Sequence, residues 1–246
     1  MKNINYIEVD EVVSTNDHLK MLAIEDELPE GAVVVAQCQK NGRGQGGNFW
    51  ESTAGKNLIF SLLLRPSFLK AEDMFMISKV VSLGIIGYLK GIDKHFTIKW
   101  PNDIYYRNKK LGGILIENQL LGSKLNFMIV GIGININQDI FESDAPNPIS
   151  LKNIFNKKFA LNECLNGILI SIGLWYNRLG NGETDKISEA YFSYLYRNSS
   201  YHEYRAGNKV FIAKIVSVDN DGRLNLTTYD GEKKSFYFKE VEFVIT

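Results

Sequence analysis

The sequence predicts an α+β fold in which helices cover a mixed or antiparallel sheet and a small all-β unit follows. Three observations predict it. Short β-branched and apolar runs recur between residues 33 and 136, separated by turn residues. Stretches at 71–90, 162–179 and 183–197 repeat apolar residues every three or four positions, the period of a helix with one buried stripe. After residue 197 the chain changes to short alternating runs punctuated by Asp221-Gly222 and Asp230-Gly231, dipeptides that suit tight hairpins.

Taken in order, Ser14 with Asp17 three positions on reads as a capping box opening a short helix to about residue 24. Residues 33–37 form a strand, 42–47 a glycine-rich loop and 58–64 a second strand. The helix over 71–90 carries Met74, Ile77, Val81, Ile85 and Tyr88 on one face, so it covers one side of the sheet. Residues 96–100, 103–106, 111–117 and 125–136 are further strands, with a polar turn at 107–110. Two helices then close a large domain spanning 1–197, and residues 198–246 have the size of an SH3-like β-barrel.

With 246 residues, 45% hydrophobic and 23% charged, the chain suits one sizeable core plus a small appended unit, which excludes disorder. Lys+Arg and Asp+Glu both total 28, so no general attraction to nucleic acid or an anionic membrane is expected and any anion site must be local. Cys38 and Cys164 form no CxxC and no zinc-binding spacing, which fits a reducing compartment without disulfides. Glu8, Asp10 and Glu11 stand where a signal peptide would be apolar, and the apolar stretches at 80–89 and 165–176 fall short of the roughly 20 residues of a membrane span. A cytoplasmic protein is expected.

Gly42-Arg43-Gly44-Gln45-Gly46-Gly47 has the GxGxxG spacing of a dinucleotide-binding loop. Its context excludes a nicotinamide oxidoreductase, because no helix opens within the motif and no acidic residue lies between Thr53 and Ala71 to meet a ribose. The glycines still let backbone amides approach a phosphate or carboxylate, and Arg43 adds a fixed fork of donors. By itself the run suits a plain surface loop equally well. Lys99-Trp100-Pro101-Asn102-Asp103 is either an ordinary turn or a strand end that projects polar groups. Lys109-Lys110-Leu111-Gly112-Gly113 sets lysines, solvated or functional, beside glycines that permit close approach. Gly131-Ile132-Gly133-Ile134-Asn135-Ile136-Asn137 alternates small with apolar residues, which suits a strand pressed against a flat ligand or a weakly packed strand. Ser14-Thr15-Asn16 caps a helix and leaves hydroxyls for a neutral polar ligand. His18, His95 and His202 are scattered, and no Ser/His/Asp arrangement is legible.

Together and in this order, Ser14-Thr15-Asn16, Gly42-Arg43-Gly44 running to Trp50, the 99–103 and 110–113 segments and the 131–137 strand resemble the biotin-protein ligases. The resemblance spans the large domain, and the terminal β unit resembles that family's SH3-like domain in size and position. It implies the class II synthetase-like fold of biotin and lipoate ligases. It also implies ATP-dependent biotinylation of a lysine on a biotin carboxyl carrier protein, through biotinyl-5'-AMP with release of pyrophosphate. On this resemblance Lys110 and Arg43 are catalytic, and Ser14, Thr15, Asn16, Gln39, Gly42, Arg43, Gly44, Gln45, Lys110 and Gly113 bind biotin. Trp50, Lys99, Asn102, Asp103, Gly133 and Asn135 meet ATP, with Asp103 holding Mg2+ through the nucleotide.

Some residues depart from the family pattern. Gln45 and Asn48 stand where the family often carries arginines, so the loop offers fewer cations, and residues 240–246 hold no arginine for a nucleotide. Thirteen residues precede Ser14, too few for a helix-turn-helix, so repression is not expected. A lipoate-protein ligase and a non-catalytic biotin sensor are the rival readings. Arg43, Asp103 and Lys110 weigh against the sensor, because binding a neutral ring needs none of these charges. Whether the protein is a homodimer stays open.

Overall fold

Seven strands drawn from the first 134 residues make one sheet, ordered β1-β2-β3-β7-β6-β5-β4. They are β1 (Asn5–Val12), β2 (Ala32–Gln39), β3 (Leu58–Leu64), β4 (Phe96–Lys99), β5 (Asp103–Tyr106), β6 (Lys109–Leu121) and β7 (Lys124–Ile134). The computed structural model describes residues 5–25, 28–121, 124–143 and 146–245. Only β1 and β2 pair in parallel, so the sheet is mixed, as expected. Helix α1 (Thr15–Glu25) covers one face, where Leu19 and Ala23 pack on Val34, Leu63 and Ile129. Helices α2 (Phe75–Leu89), α4 (Leu161–Gly180) and α5 (Thr184–Ser193) cover the other. Helix α2 is buried nearly all round, which its continuous apolar composition requires.

A second, antiparallel sheet follows, ordered β11-β10-β9-β8-β12. It comprises β8 (His202–Ala206), β9 (Lys209–Val218), β10 (Leu224–Thr228), β11 (Lys233–Phe236) and β12 (Glu242–Phe243). Gly222 and Gly231 take φ of 92° and 85°, the left-handed conformation for which both Asp-Gly pairs are suited. Buried Lys79 on α2 ties that helix to the second sheet and to α5, donating to Val218 O at 2.9 Å, Ser188 Oγ at 3.0 Å and Asn220 Oδ1 at 3.2 Å.

Four local features differ from the sequence reading. The turn expected over 107–110 is confined to Arg107 and Asn108, since Lys109 and Lys110 already belong to β6 and pair with Tyr106 and Tyr105 of β5. The helix expected to reach 197 stops at Ser193, because 194–196 turns to cover the outer edge of β4. There Ile98 N donates to Tyr194 O and Tyr196 N to Ile98 O, both at 2.8 Å, satisfying an edge that would otherwise be open. Strand β1 was not anticipated, although Ile7 and Val9 turn inward between exposed Glu8 and Asp10. Nor was α3 (Leu151–Phe155), opened by a capping box in which Ser150 Oγ accepts from Asn153 N at 3.0 Å.

Candidate active site

The register of the large sheet builds the floor of a cavity. Ser61 on β3, Gly131 on β7 and Leu115 on β6 lie side by side in one row across three strands. The start of α1 lays Asn16 over that row, where it accepts from Ser61 Oγ at 2.6 Å and donates to Leu115 O at 3.3 Å. Asn16 Nδ2 also donates to Glu117 Oε2 at 2.7 Å. Beside it Gln39 Oε1 accepts from Thr15 N at 2.7 Å and Thr15 Oγ1 at 3.1 Å. Ser14, Thr15 and Asn16 are all buried, and Ser14 lines the same end of the cavity. This end is rich in neutral donors and acceptors.

Two residues further along the strands, about 7 Å away, a second row runs Ile59, Gly133, Gly113, Asp103 and Lys99. Lys110 reaches over it and pairs with Asp103 at 2.6 Å, 5.9 Å from the Trp50 ring centre. The Trp50 indole lies on Gly133, where a Cβ would stand 2.5 Å from the ring. Asn102, whose Nδ2 donates to Ile114 O at 2.6 Å, completes this end. Above both rows passes the glycine loop, bringing Arg43, Gly44 and Gln45 to the cavity. Arg43 pairs with Asp17 at 2.6 Å and with Glu117 at 3.3 Å.

Beyond Trp50 and Lys110 the cavity continues into a hollow lined by Phe49, Phe141, Pro146, Pro148 and Asn135. Asn135 Nδ2 donates to Ile149 O at 3.2 Å, while its Oδ1 is buried without a protein partner. Gln45 Oε1 and Trp50 Nε1 are in the same state. Buried polar atoms normally find partners, so these three atoms are free to meet a polar group brought into the cavity.

The structure thus gathers nearly all the residues singled out in the sequence. Gly42 stands one step back, its carbonyl accepting from Trp50 N at 2.9 Å. Lys99 does not line the cavity but lies between the rings of Tyr105 and Phe243, where burial lowers its pKa. Asp17, read as half of a cap, places its carboxylate on Arg43. Ser61 and Glu117 escaped the sequence reading, since each meets the site only through strand register.

A family model described as the biotin/lipoate A/B protein ligase family matches residues 9–135. The bifunctional ligase/repressor BirA of Bacillus spizizenii is 30% identical over 239 residues, covering 94% of this chain and 72% of that protein. A biotin--[acetyl-CoA-carboxylase] ligase of Paracoccus denitrificans is 32% identical over 145 residues, or 56% of this chain and 59% of its own. The biotin protein ligase of Aquifex aeolicus, solved with biotin and ATP, matches with a TM-score of 0.80 and 29% identity over 97% of both chains. Fold and relatives together define an enzyme of the ligase class. The chain belongs to the biotin/lipoate A/B protein ligase family.

Proposed function

We propose that this ligase uses ATP to attach biotin to one lysine of a biotin carboxyl carrier domain. One observation carries the reading: a single cavity gathers the hydrogen-bonding groups of Ser14, Thr15, Asn16 and Gln39 at one end and the Lys110 ammonium with Asp103 at the other, with Arg43 on the loop above. Biotin divides in the same way, with an uncharged ureido ring and a carboxylate. Ser14, Thr15, Asn16 and Gln39 suit the ring, which needs donors and acceptors rather than charge. Gly44, Gln45 and Gly113 border its chain, with Gly42 holding the loop from behind. Asn135 and Trp50 in the adjoining hollow suit adenine, and Gly133 gives the indole room.

In this reading a carboxylate oxygen attacks the α-phosphorus of ATP, the α–β bridge breaks and pyrophosphate leaves. The acceptor amine then attacks the acyl carbon, loses a proton, forms the amide and releases AMP. Both reactants of the first step are anions, so Lys110 and Arg43 lower the barrier by offsetting their repulsion and the charge that builds on phosphorus. Among the described residues no three His, Cys, Asp or Glu side chains gather as a metal site. Magnesium brought by the nucleotide would be held by Asp103 and Asn102 together with the phosphates, where it would offset their charge. Lys99, shielded between two rings, adds positive potential behind Asp103 without touching substrate.

Residues 1–197 are the ligase unit in this reading, and 198–246 an SH3-like unit docked on it. No helix among the described residues is long and apolar enough to cross a membrane, and Cys38 and Cys164 are free thiols. Both facts accord with work in the cytoplasm on a soluble carrier domain.

The test is pyrophosphate release from MgATP with biotin, lipoate or octanoate, for the native chain and Lys110→Ala. We expect release with biotin alone, reduced at least about a hundredfold in the variant, the usual scale for removing a charge-stabilising donor. Release with lipoate alone would move the chain to the sister activity, and tight biotin binding without any release would make it a sensor.

A further inference from the structure

The two cations of the cavity are both engaged, Arg43 by Asp17 and Glu117, Lys110 by Asp103. A third reaches the glycine loop from the other sheet. Lys239, on the turn between β11 and β12, extends across so that its Nζ donates to the Gly46 carbonyl at 3.2 Å. Gly46 lies in the loop that carries Arg43 and Gln45 to the cavity.

Three features mark this contact as built. Lys239 takes φ 71°, a left-handed conformation uncommon for a residue with a side chain. A tight turn holds it there, with Tyr237 N donating to Glu240 Oε2 at 2.6 Å and Glu240 N to Tyr237 O at 3.1 Å. At the receiving end Gly46 also has φ 71°, and a Cβ there would stand 2.5 Å from Lys239 Cε and 2.7 Å from its Nζ. Glycine adopts that backbone readily, and the Lys239 ammonium closes on its carbonyl.

We propose that Lys239 is a positioning residue that fastens the 42–47 loop to the C-terminal unit and thereby sets how long the acyl-adenylate is retained. The contact is made by the chain alone, whereas its effect on the intermediate rests on the function proposed above. A loop held at both ends of its arch excludes water from the mixed anhydride and slows its escape. Without Lys239 the loop keeps the Arg43 ion pairs and its own Gly42–Trp50 and Gly44–Asn48 backbone bonds.

The experiment compares the full chain with Lys239→Met, which keeps the length of the stem but loses the donor, and with Lys239→Arg, which restores a donor. In the free protein, amide hydrogen exchange over residues 42–50 should quicken about fivefold in Lys239→Met, the effect of losing one exposed hydrogen bond, and return towards native in Lys239→Arg. Unchanged exchange in Lys239→Met overturns the tether. With MgATP and biotin but no acceptor, free adenylate should then appear about fivefold faster in Lys239→Met, at an unchanged KM for biotin. Faster exchange with unaltered release would overturn the role in retention. If the native chain makes no adenylate while exchange still separates the variants, the biotin assignment fails and the tether stands.

Discussion

Gly131 and Gly133 point to the same face of β7, and each leaves room for a different partner. A Cβ on Gly131 would lie 2.3 Å from Asn16 Oδ1, and one on Gly133 would lie 2.5 Å from the Trp50 indole. Gly131→Ala should therefore displace Asn16 and weaken biotin binding about tenfold or more, while Gly133→Ala displaces Trp50 and weakens ATP instead. Calorimetric titration of both ligands separates the two, and equal loss of both ligands in both variants would contradict this division. The alternation of small and apolar residues at 131–137 was legible in the sequence, where it suited either a flat ligand or a weakly packed strand. That one flat group is the chain's own Trp50 was not, because the loop's path depends on long-range contacts. Ser61 was invisible for a related reason: only the antiparallel pairing of Ser61 with Gly131 sets its hydroxyl under Asn16. Gln45 carries a further expectation. Its Oε1 is buried without a partner, at a position where the resemblance implies an arginine. Gln45→Arg should accordingly slow adenylate release, and native enzyme that leaks no more than this variant would refute the idea.

At the level of elements, strands and helices with strong periodicity were legible, whereas those defined by what they cover were not. Residues 194–196 carry an apolar helical pattern yet leave the helix to satisfy the β4 edge, a gain in hydrogen bonds that local propensity cannot register. Lys79 is the sharper case, a charge within the apolar run of α2 that packs between α5 and the β9–β10 turn. Burial pushes its pKa down to about 8, against the opposing pull of Asp219, Asp73 and Asp221. Above that pH the folded chain has released the proton, while the unfolded chain keeps it up to the ordinary value of 10.5. The unfolded state binds more protons in this window, so Lys79 makes stability rise with pH across it. Below about pH 8 both states are charged and the cost of burying the ammonium is felt in full. Urea midpoints at about pH 7.5 and about pH 9.5 should therefore shift in favour of the native chain relative to Lys79→Met. Parallel pH profiles for the two would mean that Lys79 keeps its proton in the fold.

For the whole molecule, the two sheets share one apolar core. Tyr204, Ile215 and Leu226 from the C-terminal sheet belong to the same buried cluster as Val80 of α2 and Ile187 and Tyr191 of α5. Polar groups cross the same junction: Phe75 N donates to Asn220 O at 3.2 Å, and the buried Trp100 Nε1 to Gly222 O at 2.9 Å. If the C-terminal sheet opened alone, it would expose the flank of α2 and α5 and strip Lys79 of the Val218 and Asn220 acceptors, so partial unfolding is penalised twice. The change in sequence texture at 198 marks a change of sheet, yet the cores on either side are continuous, and this predicts one cooperative transition. Urea unfolding followed by tryptophan fluorescence, to which the junction contributes through Trp100, should coincide with unfolding followed by far-ultraviolet dichroism. Trp100→Phe keeps most of the apolar contact but leaves the Gly222 carbonyl without its donor, so it should lower stability by about 1–3 kcal/mol and still give a single transition. Two separated transitions in the native chain would mean that each sheet is stable without the other, and that the shared cluster is an interface between independent domains.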